Sequence, residues 1–147
     1  FIKEKENFLP KIMISIPPTS PLRESIDVEN CITEYQKGNS DIVLATTKPS
    51  HNPYFNMLNK KSDGSLNLLI DGKEIIQNRQ NSPKVYGITT VAYVTSPEFV
   101  LTHNSLFDNT LIRSIDVPVE RSIDIDTMHD FKIAEYLMME KIKNKNN

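Results

Sequence analysis

The chain has 147 residues, with 17 Lys+Arg against 19 Asp+Glu and a formal net charge of −2 at pH 7. That length suits one domain able to bury a core without metal or disulfide staples. Hydrophobic residues make up 38% and charged residues 24%, an ordinary globular composition; the near-balanced charge excludes a general field for nucleic acid or anionic membrane. The longest apolar runs, such as IVLA and NLLI, are far below the roughly 18 residues of a membrane helix. The single Cys31 permits no intramolecular disulfide and no second thiolate for zinc, which points to a reducing, cytoplasmic compartment. The start, FIKEKENF, is charged and has no apolar signal-peptide core. It opens on Phe rather than Met, which we read as a processed or partial chain.

In chain order, KIMISI (11–16) is short, nearly all apolar and stopped by Pro17-Pro18, the pattern of a strand buried on both faces. A turn at Ser20-Pro21 leads to a predicted helix over 25–37, with Val28, Cys31, Ile32 and Tyr35 on one apolar face and Lys37-Gly38 as its stop. DIVLATT (41–47) predicts a second buried strand, so strand, helix and strand make a βαβ unit. Over 52–83 the pattern changes, and FNMLNKK and SLNLLI flank Asp63-Gly64, the signal of an antiparallel hairpin excursion. The sheet resumes with ITTVAYV (88–94). Pro97-Glu98 then opens a short helix to Leu101, and IRSIDVP (112–118) predicts another strand. The last element is an amphipathic helix over 127–143, with Phe131, Ile133, Ala134, Leu137, Met138 and Ile142 as its apolar face.

Three constellations carry possible chemistry. In SIDIDT (122–127), Asp124 and Asp126 stand two apart in an extended segment and project to one side. Paired carboxylates suit a hard divalent ion such as Mg²⁺; the competing reading is that Asp126 or Thr127 caps the last helix, with Asp130 completing the cap. In PTSPLR (18–23), Ser20 can hydrogen-bond and Arg23 pair with an anion at a strand's carboxyl end; otherwise the stretch is a rigid turn. In NRQNSP (78–83), Arg79 and Gln80 can clamp a carboxylate or be solvated loop residues. His51, His103 and His129 have no metal-ligand spacing, and Cys31 lies on a helix's apolar stripe, a structural thiol. The four glycines form no phosphate-cradling cluster.

In this order PPTSPLR (17–23), SDIVLATTKPSHNPYFNM (40–57), NRQNSPKVY (78–86), TTVAYV (89–94) and SIDVPVERSIDIDTMHDFKIAEYL (114–137) resemble the acylneuraminate cytidylyltransferases, or CMP-sialic acid synthetases. The resemblance covers nearly all of the chain beyond residue 10. It implies an α/β, Rossmann-like nucleotidyltransferase fold: a three-layer sandwich on a mostly parallel sheet, with 52–83 as an antiparallel dimerisation hairpin. It also implies transfer of CMP from CTP to a nonulosonic acid, with pyrophosphate released, in a homodimer. By resemblance Asp124 and Asp126 hold Mg²⁺, Arg79 reaches the sugar from the hairpin, and Tyr93 and Phe107 line the sugar pocket. No nucleic acid or membrane partner is expected.

The chain departs from the family pattern in places. Ile16-Pro17 stands where Leu-Gln is usual, NRQN replaces RRQD, and TTVAY replaces an NGA(I/F)Y run. These leave open which nonulosonic acid is used. Family members open with a glycine-rich, basic loop for the CTP triphosphate that these residues do not contain, so the chain looks like the C-terminal part of such an enzyme. The expectation is little activity, exposed sheet edges and a tendency to aggregate when it stands alone. The other readings are a non-catalytic remnant or interaction module of the same fold, and a cytidylyltransferase for another keto-acid sugar such as an octulosonate.

Overall fold

The computed structural model describes Lys5, residues 8–70 and residues 79–145. The chain divides into two compact units, one holding the residues up to Thr47 and from Ile88 onward, the other Lys48–Gly87.

The first unit is built on strands β1 (Met13–Ser15), β2 (Ile42–Thr47), β5 (Gly87–Thr95) and β6 (Ile112–Asp116), in the order β1-β5-β2-β6. Strands β2 and β6 are parallel, Ile42 opposite Ile112 and Thr46 opposite Asp116, while β1 and β5 are antiparallel, Met13 opposite Thr95. Thr95 Oγ1 donates to Asp41 O and Thr89 Oγ1 to Ala45 O, so β5 also runs against β2. Three of the four strands therefore point the same way, and their carboxyl ends share one edge of the sheet with the amino end of β5. The predicted strand, helix and strand unit is present, with β5 inserted between its two strands.

Helix α1 (Ser25–Gln36) starts where Glu24 N donates to Asp27 Oδ2 (2.9 Å). It stops at Gly38, whose φ of 73° suits a residue without Cβ. Its predicted face is the one it buries. Cys31, with Val28, Ile32 and Tyr35 beside it, packs on Val43, Ala45, Val91, Val94 and Val117 of the sheet. Ile42 and Leu44, on the opposite face of β2, are buried as deeply, so the sheet is covered on both sides. The short helix α2 (Pro97–Thr102) is capped by Ser96 Oγ, which accepts from Phe99 N at 3.1 Å.

Two expectations are corrected. KIMISI is not a strand buried on both faces. Only Met13–Ser15 pair, all three are exposed, and β1 has a neighbour on one side alone among the described residues. The last helix, α3 (Met128–Lys145), does not bury its predicted face: Phe131, Ile133 and Ile142 are exposed, Ala134 is buried, and Leu137 and Met138 are half-buried. This helix carries apolar residues on more than one side, and packing seats the stripe through Ala134, Leu137, Met138 and Lys141.

The second unit contains the predicted hairpin, β3 (Leu58–Lys60) paired antiparallel with β4 (Leu66–Leu68). Gly64 takes φ 87° in the turn, and Asp63 Oδ1 accepts from Ser65 N and Oγ. Leu58 and Leu66 are each 57% exposed. The unit is closed by Asn52, whose Nδ2 donates to Ser82 Oγ (3.1 Å) and Pro83 O (3.0 Å).

Burial, with the charge of Asp27 nearby, pushes the Cys31 thiol up to about 12. The thiol should therefore ignore a disulfide reagent such as DTNB at pH 8 in the folded protein and react fully in denaturant. A fast-reacting thiol in the native chain would refute this packing.

Candidate functional site

Three segments meet at the edge where β1, β2 and β6 end, the place where open α/β sheets bind ligands. The 17–23 turn follows β1, the first residues of β5 lie next to it, and the 117–127 segment follows β6. Val117 N donates to Thr46 O (2.7 Å), carrying the ladder one residue past β6, and Ile125 N donates to Thr19 O (2.9 Å), tying the aspartate segment to the turn.

The turn is held from inside. Ser20 is fully buried, and its hydroxyl is 2.6 Å from Thr90 Oγ1. Arg23 donates through Nε to Ser20 O and through one Nη to Val91 O, each at 2.8 Å, and through the other Nη to Pro17 O. Ser20 and Arg23 thus make their contacts within the protein. A planar fork serving three carbonyls locks the turn to β5.

Asp124 and Asp126 are differently placed. Asp124 is half-buried and Asp126 exposed. The competing helix cap is present in its Thr127 form, with Asp130 completing it and Asp126 taking no part through its side chain. Thr127 N and Oγ1 donate to Asp130 Oδ2 (2.8 and 2.6 Å), and Asp130 N donates back to Thr127 Oγ1 (3.3 Å). These hydrogen bonds hold the Asp130 carboxyl below its usual range, the Thr127 hydroxyl being the main cause. Asp124 and Asp126 are left free of capping, and Asp124 Oδ1 is enclosed with no hydrogen-bond partner among the described residues. Thr47 Oγ1, at the carboxyl end of β2, is enclosed and partnerless in the same way. Tyr93, half-buried on β5, has its phenol raised by burial and by the charge of Asp124.

Phe107 sits on an exposed loop, 64% accessible. Arg79 and Gln80 form a 3-10 turn (Arg79–Asn81) in the second unit, and Gln80 is exposed. Asn78 falls outside the described residues. His51, His103 and His129 are exposed, and no group of three or more His, Cys, Asp or Glu gathers among the described residues.

An ion pair that the sequence reading passed over anchors the aspartate segment. Asp27 is 1% exposed; its Oδ2 accepts from Arg121 Nε (2.9 Å) and its Oδ1 from Arg121 Nη2 (2.8 Å). A carboxylate four residues before Cys31, on the helix's buried stripe, needs a cation, and that was the available signal. Burial alone would raise the Asp27 carboxyl, but the Arg121 hydrogen bonds and the Glu24 amide outweigh it, and the group sits below its ordinary value.

Two outcomes are expected. In Asp124→Asn the Tyr93 phenol, followed by NMR of labelled tyrosine, titrates at lower pH than in the wild type; an unmoved phenol would separate the two residues. A carboxyl with a lowered native pKa stabilises the fold above its unfolded pKa of about 3.9, and that contribution is lost as pH falls through the native value. Wild-type stability in urea should therefore drop below about pH 4. Arg121→Ala should be less stable at pH 7 and show a shallower acid drop, because its unpaired Asp27 already favours the proton.

No protein-family model matches the chain. Over 130 residues, 88% of this chain and 53% of the relative, it is 29% identical to the post-translational flagellin modification protein B of Campylobacter coli. Over 98 residues, 65% of this chain and 39% of the relative, it is 33% identical to a CMP-N,N'-diacetyllegionaminic acid synthase of Campylobacter jejuni subsp. jejuni. The chain spans about half or less of the length of these curated relatives. The crystal structure of 4-diphosphocytidyl-2C-methyl-D-erythritol synthase from Anaerococcus prevotii matches with a TM-score of 0.55 at 13% identity, covering 92% of this chain and 64% of that one. The last likeness is one of fold, and it bears out the Rossmann-like nucleotidyltransferase architecture. The two relatives bear out the resemblance read from the motifs. Among the described residues no helix is long and apolar enough to cross a membrane.

Proposed function

We propose, from this kinship with the sialic-acid-type cytidylyltransferases, that the chain forms the sugar-acid and cation side of an enzyme that moves CMP from CTP to a nonulosonic acid. One observation carries the site: two aspartates at the carboxyl edge of the sheet are released from capping, and Asp124 Oδ1 is enclosed without a partner among the described residues. A buried carboxylate oxygen left unpaired is costly, and a hard divalent cation is a partner that aspartates two apart suit. Mg²⁺ fits this donor set, since it binds one or two carboxylates and keeps its other positions for water and substrate phosphate oxygens. When bound it supplies neutralisation of charge at the α-phosphate.

In the reaction the anomeric oxygen of the sugar acid attacks the α-phosphorus in line. The bond from that phosphorus to the oxygen shared with the β-phosphate breaks, pyrophosphate leaves with the electron pair, and the anomeric proton passes to solvent. Little covalent chemistry falls to the protein, whose part is positioning and electrostatics. Asp124 and Asp126 hold the cation. Tyr93 and Phe107 give the sugar aromatic walls, and Arg79 with Gln80 takes its carboxylate. Ser20 and Arg23 act on substrate at one remove, by keeping the 17–23 turn in place. The exposed Leu58 and Leu66 of the hairpin meet a second copy, so the working form is a homodimer. A CTP-consuming enzyme with a reduced, buried thiol belongs in the cytoplasm.

The test is pyrophosphate release by the intact natural protein, dependent on CTP and Mg²⁺, across a panel of nonulosonic acids and an octulosonate. One acid of the panel should support turnover, and Asp124→Asn and Asp126→Asn should each lower it on the order of a hundredfold or more. Silence across the panel from folded protein would overturn the reading in favour of a non-catalytic module of the same fold. Turnover untouched by both substitutions would overturn the metal assignment.

A further inference from the structure

Arg121 and Asp124 are three residues apart, and the backbone between them has few free joints. The 3-10 turn Val119–Arg121 is closed by Arg121 N donating to Pro118 O (3.0 Å) and by Ser122 N and Oγ donating to Val119 O (3.2 and 2.9 Å). Beyond Asp124 the Ile125 amide is fixed to Thr19 O at 2.9 Å. Asp124 is thus strung between two anchors. One of them is the Arg121 guanidinium, gripped by both oxygens of Asp27. A fork bound to one carboxylate in this way has a set plane and direction, which a point charge such as an ammonium does not impose. Asp27 is itself immobilised, buried on α1 and accepting from Glu24 N. Helix α3 reinforces the arrangement: Lys141 Nζ lies 2.6 Å from Glu24 Oε1, and Glu24 Oε2 lies 3.8 Å from Arg121 Nη1.

We infer that the Asp27–Arg121 fork is a positioning device that aims the 122–127 segment, so that cation affinity at Asp124 and Asp126 depends on two residues that never touch the cation. The inference rests on the cation reading of those aspartates given above. A pair that served stability alone would, when broken, lower the melting temperature and leave the affinity of the folded molecules unchanged. A positioning pair changes the affinity of molecules that are still folded.

The two are separated with Mn²⁺ as the probe, its binding to the wild-type chain, Arg121→Lys, Asp27→Asn and the Asp124→Asn/Asp126→Asn double variant being followed by electron paramagnetic resonance. Temperatures are held where circular dichroism shows each protein folded, and exchange of the Ile125 amide is followed by NMR. In Arg121→Lys the Mn²⁺ dissociation constant should rise roughly tenfold or more, as for other residues that orient metal ligands. The Ile125 amide should exchange faster while those of Val43 and Val91 keep their protection. Asp27→Asn, which keeps an oxygen for the Glu24 amide, should change both quantities in the same sense and decides the matter if Arg121→Lys does not fold. Wild-type Mn²⁺ affinity in both folded variants, whatever their melting temperatures, overturns the positioning role alone. Mn²⁺ binding that is absent from the wild type, or that survives the double aspartate variant, overturns the cation reading and this inference with it.

Discussion

A buried carboxylate with one suitable cation is the constraint on which much of this structure depends. Asp27 sits on the face of α1 that packs toward the sheet, where an ionised group without a partner would cost several kcal/mol. Arg121 answers it from the far side of the sequence, 94 residues away. To bring it there the chain leaving β6 must turn back over the start of α1, and the 3-10 turn Val119–Arg121 makes that turn. The same path carries Asp124 and Asp126 to the carboxyl edge of the sheet. The electrostatic demand of one helix residue thus tethers the segment that carries both aspartates.

The edge itself follows from strand directions. β1, β2 and β6 point one way and β5 the other, so the loops after three strands and the start of the fourth converge. Ser20, Thr90 and Arg23 close the turn internally, and Thr127 with Asp130 closes the start of α3. With those local requirements met by neighbours, Asp124 Oδ1 and Thr47 Oγ1 are enclosed at this edge without hydrogen-bond partners among the described residues. Burial, and secondarily the charge of Asp124, raises the Tyr93 phenol on β5. Arg79 and Gln80 belong to the second unit, and their part in the site stays a proposal.

Apolar residues outside the core show where local pattern loses to context. KIMISI reads as a strand buried on both faces, yet Met13, Ile14 and Ile16 are exposed, because β1 has β5 on one side and no strand on the other among the described residues. Burial of a strand is supplied by neighbours, which a run of six apolar residues cannot specify. Helix α3 fails for a related reason. Its apolar residues occur on several sides, so periodicity leaves the seated stripe undecided, and packing buries Ala134 and half-buries Leu137 and Met138 while Phe131, Ile133 and Ile142 stay exposed.

By itself the sequence determined the elements whose cause is local. The apolar stripe of α1 and its stop at Gly38, the Asp63-Gly64 hairpin, the buried run of β2 and the paired aspartates before the last helix all rest on spacing within a few residues. The order of the motifs also carried the family resemblance that the relatives bear out. Tertiary structure alone decided what depends on residues far apart in the chain: β5 between β1 and β2, Ser20 against Thr90, Arg23 on Val91 O, and Asp27 on Arg121. These are choices among partners of matching chemistry. A hydroxyl, a guanidinium or a carboxylate states in the sequence that it needs a partner, and only the folded chain determines which one lies within 3 Å.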